Sequence, residues 1–440
     1  MRIIRGLSKL AVIFSALIHS CLVAEHPTML GPQLAGNGSG VVAIWSSFNG
    51  AEFAIYQAKL PLSGSWSSPA KISSSSTNCL YPSLAMNSAG DILSSWQKAS
   101  GAIPDIQLAV NTFSDITSTI ITTASFFGSE HLSCGAPISR LDNAGNGTVI
   151  WEGRSSTGYL MLGTECTTSN LRAPVVTLSG INPQHVNADL VVQIPSGTSF
   201  VVWQEPINGL QTIKAASLTI DAELIGPVAI SSSANSSSRP YLSLSSNGNV
   251  YAAWWENSNP YSTIVTTAIS NSLDVSTSTI SLENVSLIGP RIGANASGDI
   301  LLVATAILSN GNTAVATAVK SGETWGGCTI LSDPSTTSVA APIVHLNDLG
   351  QGVALWQDTS SANGIIWGAI YNSGSWGAPT QLSSPLLNCS APALYVDPSG
   401  YAVAAWIAES NTEGTAFSTQ SSTLVSFLDS WSTPTTISTP

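Results

Sequence analysis

Tryptophan recurs along this sequence at nearly regular intervals, and this period constrains the fold more than any other feature. Each of these tryptophans ends the same pattern, which begins with a proline. Counted from that proline, an asparagine or aspartate follows after five residues, a glycine after eight and the tryptophan after fourteen. The clearest copy runs from Pro82 through Asn87 and Gly90 to Trp96. The equivalent tryptophan positions are 45, 96, 151, 203, 254, 304, 356 and 406, a period of about 52 residues. The chain therefore contains eight copies of one unit.

The copies differ in how much of this pattern they keep. The sixth has Ala304 in the tryptophan position, and the fourth keeps only Gly197 and Trp203. The first copy is one residue shorter than the others. We expect the units to begin near residues 32, 82, 137, 189, 240, 290, 342 and 392, with the fourth and sixth the most divergent.

The asparagine and glycine of the pattern predict a tight hairpin turn between two strands. An asparagine or aspartate side chain bonds readily to its own backbone, and glycine supplies the positive φ that ends the turn. The proline should stand at the start of the first strand, where a missing N–H is tolerated. The second strand, such as Gly352–Trp356 (GVALW), is rich in small and β-branched residues. We therefore expect the tryptophan to fill a core between neighbouring sheets.

Two further strands follow each tryptophan, and the fourth often ends on Ile-Ser or Leu-Ser, as at Ile72-Ser73 and Leu382-Ser383. Four strands in about 50 residues, repeated eight times, predict an all-β fold. The arrangement is a single β-propeller of eight four-stranded blades, or of seven blades with one irregular unit. A parallel β-helix is disfavoured because its repeats are far shorter. Blade eight should close the ring by packing against blade one, without an exchange of strands.

The first residues of the chain have the pattern of a secretory signal peptide. Three basic residues precede a short apolar run, Leu10–Ile18, and Ala24 ends a small-residue cleavage site. We therefore expect residues 1–24 to be a signal peptide and residues 25–440 to be the propeller, which would be secreted, periplasmic or on the cell surface. The alternative is a lipoprotein anchored at Cys21, because the residues around it loosely resemble a bacterial lipobox.

The low charge of the chain excludes several classes of partner. Charged residues make up 9% of the sequence, against ~25% in an average soluble domain, and the formal net charge is -12. Basic residues do not cluster, which argues against binding of nucleic acid and of anionic membrane surfaces. Nothing after the signal peptide is apolar over the ~20 residues that a membrane span needs. We expect an acidic monomer that is not an integral membrane protein.

Five cysteines follow the predicted cleavage site: Cys79, Cys134, Cys166, Cys328 and Cys389. An odd number leaves at least one of them unpaired unless it bonds to another chain. Export favours disulfides. Cys79 and Cys134 stand at equivalent positions in neighbouring units, so a disulfide between them is an option. Equivalent positions in neighbouring blades can, however, lie beyond the ~7 Å between Cα atoms that a disulfide spans. We expect the packing of the ring, and not a disulfide network, to supply the stability.

The turns between third and fourth strands resemble the Asp-box turn of sialidase-type propellers, S-x-D-x-G-x-T-W. They read Ser-Gly-Ser-Trp66, Ser-Gly-Glu-Thr-Trp325, Ser-Gly-Ser-Trp376 and Leu-Asp-Ser-Trp431. Their place in the unit matches that of the Asp box, but three of the four lack the aspartate. The chain thus resembles secreted bacterial propellers of this type in architecture. The resemblance implies the fold and not the activity, because one fold hosts many functions.

The candidate binding residues come from one predicted rim of the ring. In an antiparallel blade, the connection that precedes the first strand and the loop that follows the second strand meet at the same end, which we call the connection rim. In propellers, that rim at the channel mouth commonly holds the ligand. Residues before or early in the first strand include Arg140, Arg239, Arg291, His345 and Tyr395. Residues that follow the tryptophan include Glu152, Glu205, Trp255, Glu256 and Asp358.

The arginines at this rim have two interpretations. Guanidinium groups bind carboxylates in a bidentate manner, and the sialidase resemblance implies that three arginines converge on a substrate, here Arg140, Arg239 and Arg291. Such an enzyme also needs a tyrosine–glutamate pair and an acid/base aspartate, and only Tyr395 is a nominee, without support from its spacing. The other interpretation is that each arginine pairs with a nearby carboxylate as surface structure.

The carboxylates at this rim also have two interpretations. Glu205, Glu256 and Asp358 each follow the tryptophan position by two residues. Together with carbonyl oxygens they would suit Ca²⁺, or they are solvated ends of strands in an acidic protein. The histidines share no metal-ligand spacing, and no zinc motif is present. The sequence therefore predicts no catalytic residue, no metal site and no cofactor, with Ca²⁺ as an unsupported option.

We therefore expect an exported, non-catalytic propeller that acts as a protein- or glycan-binding scaffold through one rim of the ring. Export, a full repeat array and variable rim loops favour this function over an enzyme. The first alternative is a sialidase-like exo-glycosidase. The second is a multivalent lectin in which Trp255 and Trp367 stack on sugar faces, although such sites should recur in every blade and these two do not.

Overall fold

Each repeat forms one antiparallel sheet, and the eight sheets are the blades of a ring. The computed structural model describes residues 31–438, apart from 49–50, 74–76, 100–104, 117–119, 125–130, 169–174, 182–186, 194–195, 220–222, 334–337, 411–416, 425 and 428. The predicted signal peptide and Cys21 lie outside these residues. In the described ranges no helix is long and apolar enough to cross a membrane. The prediction of an all-β propeller with eight blades is confirmed, and the seven-blade alternative is wrong.

In each blade the strands follow chain order from the centre of the ring outward. The first four blades contain β1 (Gln33–Asn37), β2 (Gly40–Phe48), β3 (Phe53–Pro61) and β4 (Ala70–Lys71); β5 (Asn78–Met86), β6 (Asp91–Ala99), β7 (Asp105–Thr112) and β8 (Ile120–Ala124); β9 (His131–Cys134), β10 (Ile138–Leu141), β11 (Asn146–Ser155), β12 (Gly158–Thr167) and β13 (Val176–Thr177); and β14 (Ala188–Val192), β15 (Ser199–Ile207), β16 (Leu210–Leu218) and β17 (Leu224–Ala229).

The last four blades continue the same order. They contain β18 (Ser236–Leu244), β19 (Val250–Asn257), β20 (Thr263–Ile269) and β21 (Val275–Ile280); β22 (Ser286–Ala294), β23 (Ile300–Ile307), β24 (Thr313–Ser321), β25 (Thr324–Trp325) and β26 (Thr329–Ile330); β27 (Val339–Leu346), β28 (Gly352–Asp358), β29 (Ile365–Asn372), β30 (Ser375–Trp376) and β31 (Thr380–Gln381); and β32 (Leu387–Val396), β33 (Ala402–Ser410), β34 (Phe417–Leu424) and β35 (Thr435–Ser438). Where a blade has five segments, two of them pair with the same neighbour and share one strand position.

The hairpin turns between first and second strands have the predicted geometry. Asn347 Oδ1 accepts the N–H of Gln351 at 2.9 Å, and the N–H of Gly350 bonds to the Asn347 carbonyl at 3.1 Å. Gly350 has a φ of 72°, in the left-handed region that glycine adopts without strain. Asp397 closes the same turn in blade eight, and both side chains are buried. The asparagine and glycine of the repeat therefore serve the turn as expected.

The repeat proline does not stand at the start of the first strand in five of the blades, so that prediction is wrong for them. In blade seven, β27 begins at Val339, and Pro342 lies inside it at a β-bulge between Ala340 and Ile343. The residue before the proline, Ala341, has a positive φ of 51°. Blades two, five, six and eight have the same bulge. The innermost strand is a sheet edge, so a proline inside it removes no ladder hydrogen bond.

The repeat tryptophans fill the interfaces between blades, as predicted. Trp254 of blade five packs in one buried cluster with Phe200 and Val202 of blade four, and its side chain is 0% exposed. Trp203 packs in the same way against blade three, and Trp406 against blade seven. Each indole thus joins its own blade to the preceding one through a large buried apolar surface.

The sixth unit, which has Ala304 in place of tryptophan, receives an aromatic side chain from its neighbour. Ala304 belongs to the core between blades five and six, and Trp255 of blade five packs against that core. Trp255 follows Trp254 along β19, so the two indoles point to opposite faces of the blade. Blade five therefore supplies one indole to each of its two interfaces.

Blades eight and one close the ring by packing, and neither exchanges a strand with the other, as predicted. The Trp66 indole N–H of blade one donates to Ser421 Oγ of blade eight at 2.7 Å. In the same manner the Trp376 indole N–H of blade seven donates to Thr317 Oγ1 of blade six at 3.1 Å. The turn tryptophans that resemble an Asp box thus tie each of these blades to the preceding one.

The Ile-Ser and Leu-Ser pairs end the fourth strand with a side-chain hydrogen bond. Ser383 Oγ accepts the N–H of Ile366 in the third strand at 2.8 Å, and Ser383 is buried. The same bond forms at Ser73, Ser179, Ser231 and Ser332. The hydroxyl replaces a backbone acceptor where the fourth strand leaves the sheet, which keeps a buried N–H satisfied.

The five cysteines in the described part of the chain are free thiols, and the Cys79–Cys134 disulfide is not formed. Burial raises the pKa of Cys134 to about 12 and that of Cys166 to about 12, so both thiols are protonated at neutral pH. The blades are held together by side-chain packing and hydrogen bonds between them.

Candidate functional site

The first strands of blades three to seven enclose a cavity of about 260 Å³ in the central channel. Its polar lining comes from Arg140, Tyr241, Ser243 and His345, and most of the other lining residues are aliphatic. We call these four residues the channel site. Pockets for small molecules usually measure ~300–1,000 Å³, so this cavity suits a small ligand or one group of a larger one.

Strand alternation brings the four side chains of the channel site together. Arg140, Ser243 and His345 each stand three residues after the repeat proline, and Tyr241 stands one residue after it. Residues two apart on a strand point to the same face. Asp189 and Arg291 have the same register as Tyr241, since each pairs with the residue before the tryptophan position of its blade. Six polar residues of five blades thus share one side of the inner strands.

The channel site lies away from the connection rim, where the sequence placed its arginines. Because the bulged inner strands begin before their prolines, the residues after the proline occupy the second half of the strand. Arg140 is one residue from the end of β10, beside the hairpin turn. We call this end of the ring, which carries the turns between first and second strands, the hairpin rim. The rim prediction is wrong for Arg140 and His345, because the inner strand position is already filled before the repeat proline, by β9 in blade three and by the start of β27 in blade seven.

Asp189 is a buried carboxylate adjacent to the channel site. Its two oxygens accept the backbone N–H groups of Leu190 and Leu242, both at 2.9 Å. Arg140 Nη2 lies 3.6 Å from Asp189 Oδ1. Burial raises the pKa of Asp189, and the positive charges of Arg140 and Arg291 oppose that rise. The carboxylate is therefore held mainly by backbone donors, with the arginines as additional partners.

Arg291 supports the channel site from behind Tyr241. Its guanidinium carbon lies 4.8 Å from the centre of the Tyr241 ring, which is cation–π distance. Arg291 Nη1 also donates to the Pro290 carbonyl at 3.0 Å. Burial raises the pKa of Tyr241, so its phenol carries a proton at neutral pH. Tyr241 is thus a positioned O–H donor on the cavity wall.

Arg140 is the cation that lines the cavity directly. Its side chain is 37% exposed, and its Nη1 donates to the Ser139 carbonyl at 2.9 Å. Arg140 and Arg291 together carry two positive charges against the single charge of Asp189. The site therefore has a net positive charge in a protein whose formal net charge is -12.

His345 faces the interior of the channel from blade seven. Its side chain is exposed to the cavity while the ring of blades surrounds it. Burial among the blades and repulsion from Arg140 lower the pKa of His345 to about 4. The imidazole is therefore neutral at pH 7 and presents one N–H donor and one acceptor.

We expect His345 to reduce the stability of the fold as the pH falls. Its pKa is 6.5 in an ordinary environment and about 4 in the folded protein, so the unfolded chain takes up the proton first. Its contribution to stability should be complete above pH ~6.5 and should fall between about 6.5 and 4. The midpoint of thermal unfolding, measured over this interval, should drop further in the wild-type protein than in His345→Gln. Parallel curves for the two proteins would contradict this assignment.

The turns at the hairpin rim are bonded to one another around the channel. Asn37 Nδ2 donates to the Asn87 carbonyl of the next blade at 3.1 Å. Asn247 Nδ2 likewise donates to the Ala296 carbonyl at 2.7 Å, and the N–H of Ala296 donates onward to Asp348 Oδ1 at 2.8 Å. These bonds fix neighbouring blades relative to one another, and so they hold the channel site rigid.

Two other residues of the predicted site do not line the cavity. Arg239 occupies the bulge of β18 with a φ of 54°, and its backbone N–H donates to Gln204 Oε1 at 3.1 Å. Tyr395 packs at the interface of blades eight and one, where a Cβ added to Gly36 would lie 2.7 Å from its ring. Burial raises the pKa of Tyr395. The structure thus brings Arg140, Arg291 and His345 together and leaves these two apart.

Three of the four carboxylates of the predicted site, those of Glu205, Glu256 and Asp358, are bonded within their own blade. Glu205 accepts the indole N–H of Trp203 at 2.9 Å and lies 3.6 Å from Lys214 Nζ. Glu256 accepts from Asn235 Nδ2 at 2.7 Å, Asp358 accepts from the N–H of Ser360 at 2.8 Å, and Glu152 accepts the N–H of Gly135 with its backbone carbonyl at 2.6 Å. Among the described residues no three His, Cys, Asp or Glu side chains form a group that could hold a metal ion.

Trp255 and Trp367, the nominated sugar-stacking aromatics, are both half-buried between blades. Trp255 packs on the core between blades five and six, and Trp367 on the core between blades six and seven. Each indole therefore has one face engaged by the protein, in contrast with the exposed rings that a multivalent lectin needs.

Asp189, Tyr241 and Ser243 are the functional candidates that sequence reasoning missed. Asp189 and Tyr241 stand at the position that follows the repeat proline by one residue, where blade six has Arg291. A comparison of this position across all units would have found three polar residues in consecutive blades. In the fourth unit this position is difficult to find, because the unit lacks the proline from which the position is counted.

Known proteins are similar to this chain in fold and not in sequence. No protein-family model matches the sequence, and no curated protein matches it. The BP39L lectin from Burkholderia pseudomallei has a similar structure, with a TM-score of 0.50 at 12% identity, covering 93% of this chain and 100% of the lectin. A polysaccharide lyase described as an ulvan lyase also has a TM-score of 0.50, at 9% identity, covering 78% of this chain and 88% of the lyase. At these identities the similarity shows the fold alone.

Proposed function

We propose that this protein is an exported, non-catalytic propeller that binds a protein or glycan ligand at the channel site. The observation that carries the proposal is the convergence of polar side chains from three blades on one cavity of about 260 Å³. Concave sites with a few placed polar groups in a mostly apolar wall are typical of ligand recognition. The pattern of a signal peptide before the first repeat supports export.

The rigidity of the site supports binding rather than chemistry. Asp189 accepts two backbone N–H groups, and Arg291 is stacked on Tyr241, so both are held by contacts within the protein. Bonds between neighbouring turns hold the hairpin rim in place. A preformed site loses little conformational entropy when it takes its ligand. The similar fold of a lectin supports a glycan as the ligand.

Binding by the purified protein tests the proposal. A glycan array and a pull-down should be run with the wild-type protein, with the Arg140→Ala/Arg291→Ala double variant and with Arg154→Ala as the matched control. Arg154 is an exposed arginine that stacks on Tyr159 at 5.7 Å, outside the channel. We expect the double variant to lose its ligand and Arg154→Ala to keep it. Equal binding by all three folded proteins would remove the channel site from the function.

A further inference from the structure

We infer that the ligand group held in the channel site is a small carboxylate, either of an acidic sugar or of a free organic acid. This inference rests on the proposed function and deepens it. Its starting point is the hydrogen-bonding character of the cavity wall. Arg140 offers only donors, the Tyr241 phenol offers an O–H, and neutral His345 offers one N–H donor beside one acceptor. Donors outnumber acceptors among these groups, so a ligand that hydrogen-bonds to them must supply acceptors.

The donors on the wall have capacity left for a ligand. A guanidinium has five N–H donors, and the structure bonds Arg140 to the Ser139 carbonyl and to Asp189. Ser243 Oγ accepts the N–H of Ala294 at 3.1 Å, which leaves its own O–H to donate. Within the described ranges, neither the Tyr241 hydroxyl nor the His345 ring hydrogen-bonds to another protein group.

The carboxylate beside this wall, Asp189, already accepts hydrogen bonds from the protein. Asp189 does not line the cavity, and both of its oxygens accept backbone N–H groups. Its distance to Arg140 is 3.6 Å, longer than a strong charge-assisted hydrogen bond of ~2.7–2.9 Å. Arg140 therefore has room for a second carboxylate on its cavity side.

The charge distribution favours an anion at this place in the protein. The chain has 25 acidic and 13 basic residues, so most of its surface repels anions. Arg140 of the channel site and Arg291, which stacks on Tyr241, place two of the few arginines near one carboxylate, Asp189, which leaves a local positive charge. A positive charge inside a narrow, low-dielectric channel attracts small anions more strongly than the same charge on an open surface. The volume of about 260 Å³ limits the group that enters to a small one.

Titration calorimetry with three defined probes tests the inference. D-glucuronate and D-glucose differ at a carboxylate and share the sugar ring, and acetate is a carboxylate without a sugar. We expect glucuronate to bind, glucose not to bind, and added sodium chloride to weaken the binding because it screens the arginines. Binding of acetate as well would assign the site to free acids and acidic sugars alike, whereas binding of glucuronate alone would assign it to acidic sugars.

A conservative variant keeps the test independent of folding. Arg140→Gln keeps a long polar side chain beside Asp189 but removes the charge, and we expect at least a tenfold loss of glucuronate affinity. The control, Arg154→Gln, should bind as the wild type does. Binding of glucose equal to that of glucuronate would overturn the carboxylate inference while leaving the channel as a binding site. Unchanged glucuronate affinity in a folded Arg140→Gln variant, or no binding of either acid by the wild type, would also overturn it.

Discussion

Replacement of Trp254 by alanine should lower the free energy of unfolding by about 3–5 kcal/mol, the cost of deleting a fully buried tryptophan. The indole is 0% exposed and packs in the interface between blades four and five with Phe200 and Val202. Both blades are rigid sheets that are bonded to further neighbours, so the interface has little freedom to collapse into the space that is left. Chemical denaturation followed by circular dichroism measures the loss.

Two further aromatic variants serve as controls for Trp254→Ala. Phe48 is 55% exposed and contacts Phe53 at the tip of a hairpin, with ring centres 5.4 Å apart. Phe48→Ala should change the stability by about 0.5 kcal/mol or less, as is usual for surface positions. Trp255→Ala should fall between the two, because this half-buried indole fills the interface beside Ala304. A Trp254→Ala protein as stable as Phe48→Ala would contradict the assignment of the repeat tryptophans to the core between blades.

The features of the fold that depend on neighbouring residues could be predicted from the sequence. A turn that closes on an asparagine side chain and ends at a glycine needs only a few consecutive residues, and Asn347 with Gly350 forms it as expected. The period of the tryptophans gives the number of blades, because seven of the eight copies bury an indole against the preceding blade and the sixth keeps the same spacing with Ala304. Both the turn and the period can therefore be recognised without knowledge of the contacts between blades.

The features that depend on contacts between blades could not be predicted in this way. The sequence rules predict Pro342 at a strand start, because they do not show that the innermost strand tolerates a proline within a bulge. Trp255 fills the space that Ala304 leaves in the next unit. This role becomes visible only when the two blades are known to be adjacent. The site depends on the first of these effects, since the bulge of β27 sets the half of the strand, and hence the end of the ring, on which His345 lies.

Replacement of Asp189 by asparagine should change stability and ligand binding in opposite directions. The carboxylate accepts two buried N–H groups, from Leu190 and Leu242, and an amide has one oxygen to accept them. A buried donor left without a partner costs about 1–3 kcal/mol, so we expect Asp189→Asn to lower the free energy of unfolding by about that amount. The change also removes the negative charge beside Arg140, which competes with a bound carboxylate. The affinity for glucuronate should therefore rise, by about tenfold if the removed repulsion is worth about 1.4 kcal/mol.

The opposite signs separate a role in binding from a role in folding alone. A variant that is merely destabilised binds its ligand no better than the wild type, whereas a site freed of a competing charge binds an anion more tightly. Asp274→Asn is the matched control, because Asp274 is an exposed turn carboxylate that bonds to Ser272. It should leave stability within about 0.5 kcal/mol and binding unchanged. If Asp189→Asn lost stability and also lost glucuronate affinity, Asp189 would act by positioning Arg140, and the electrostatic account of the channel site would fail.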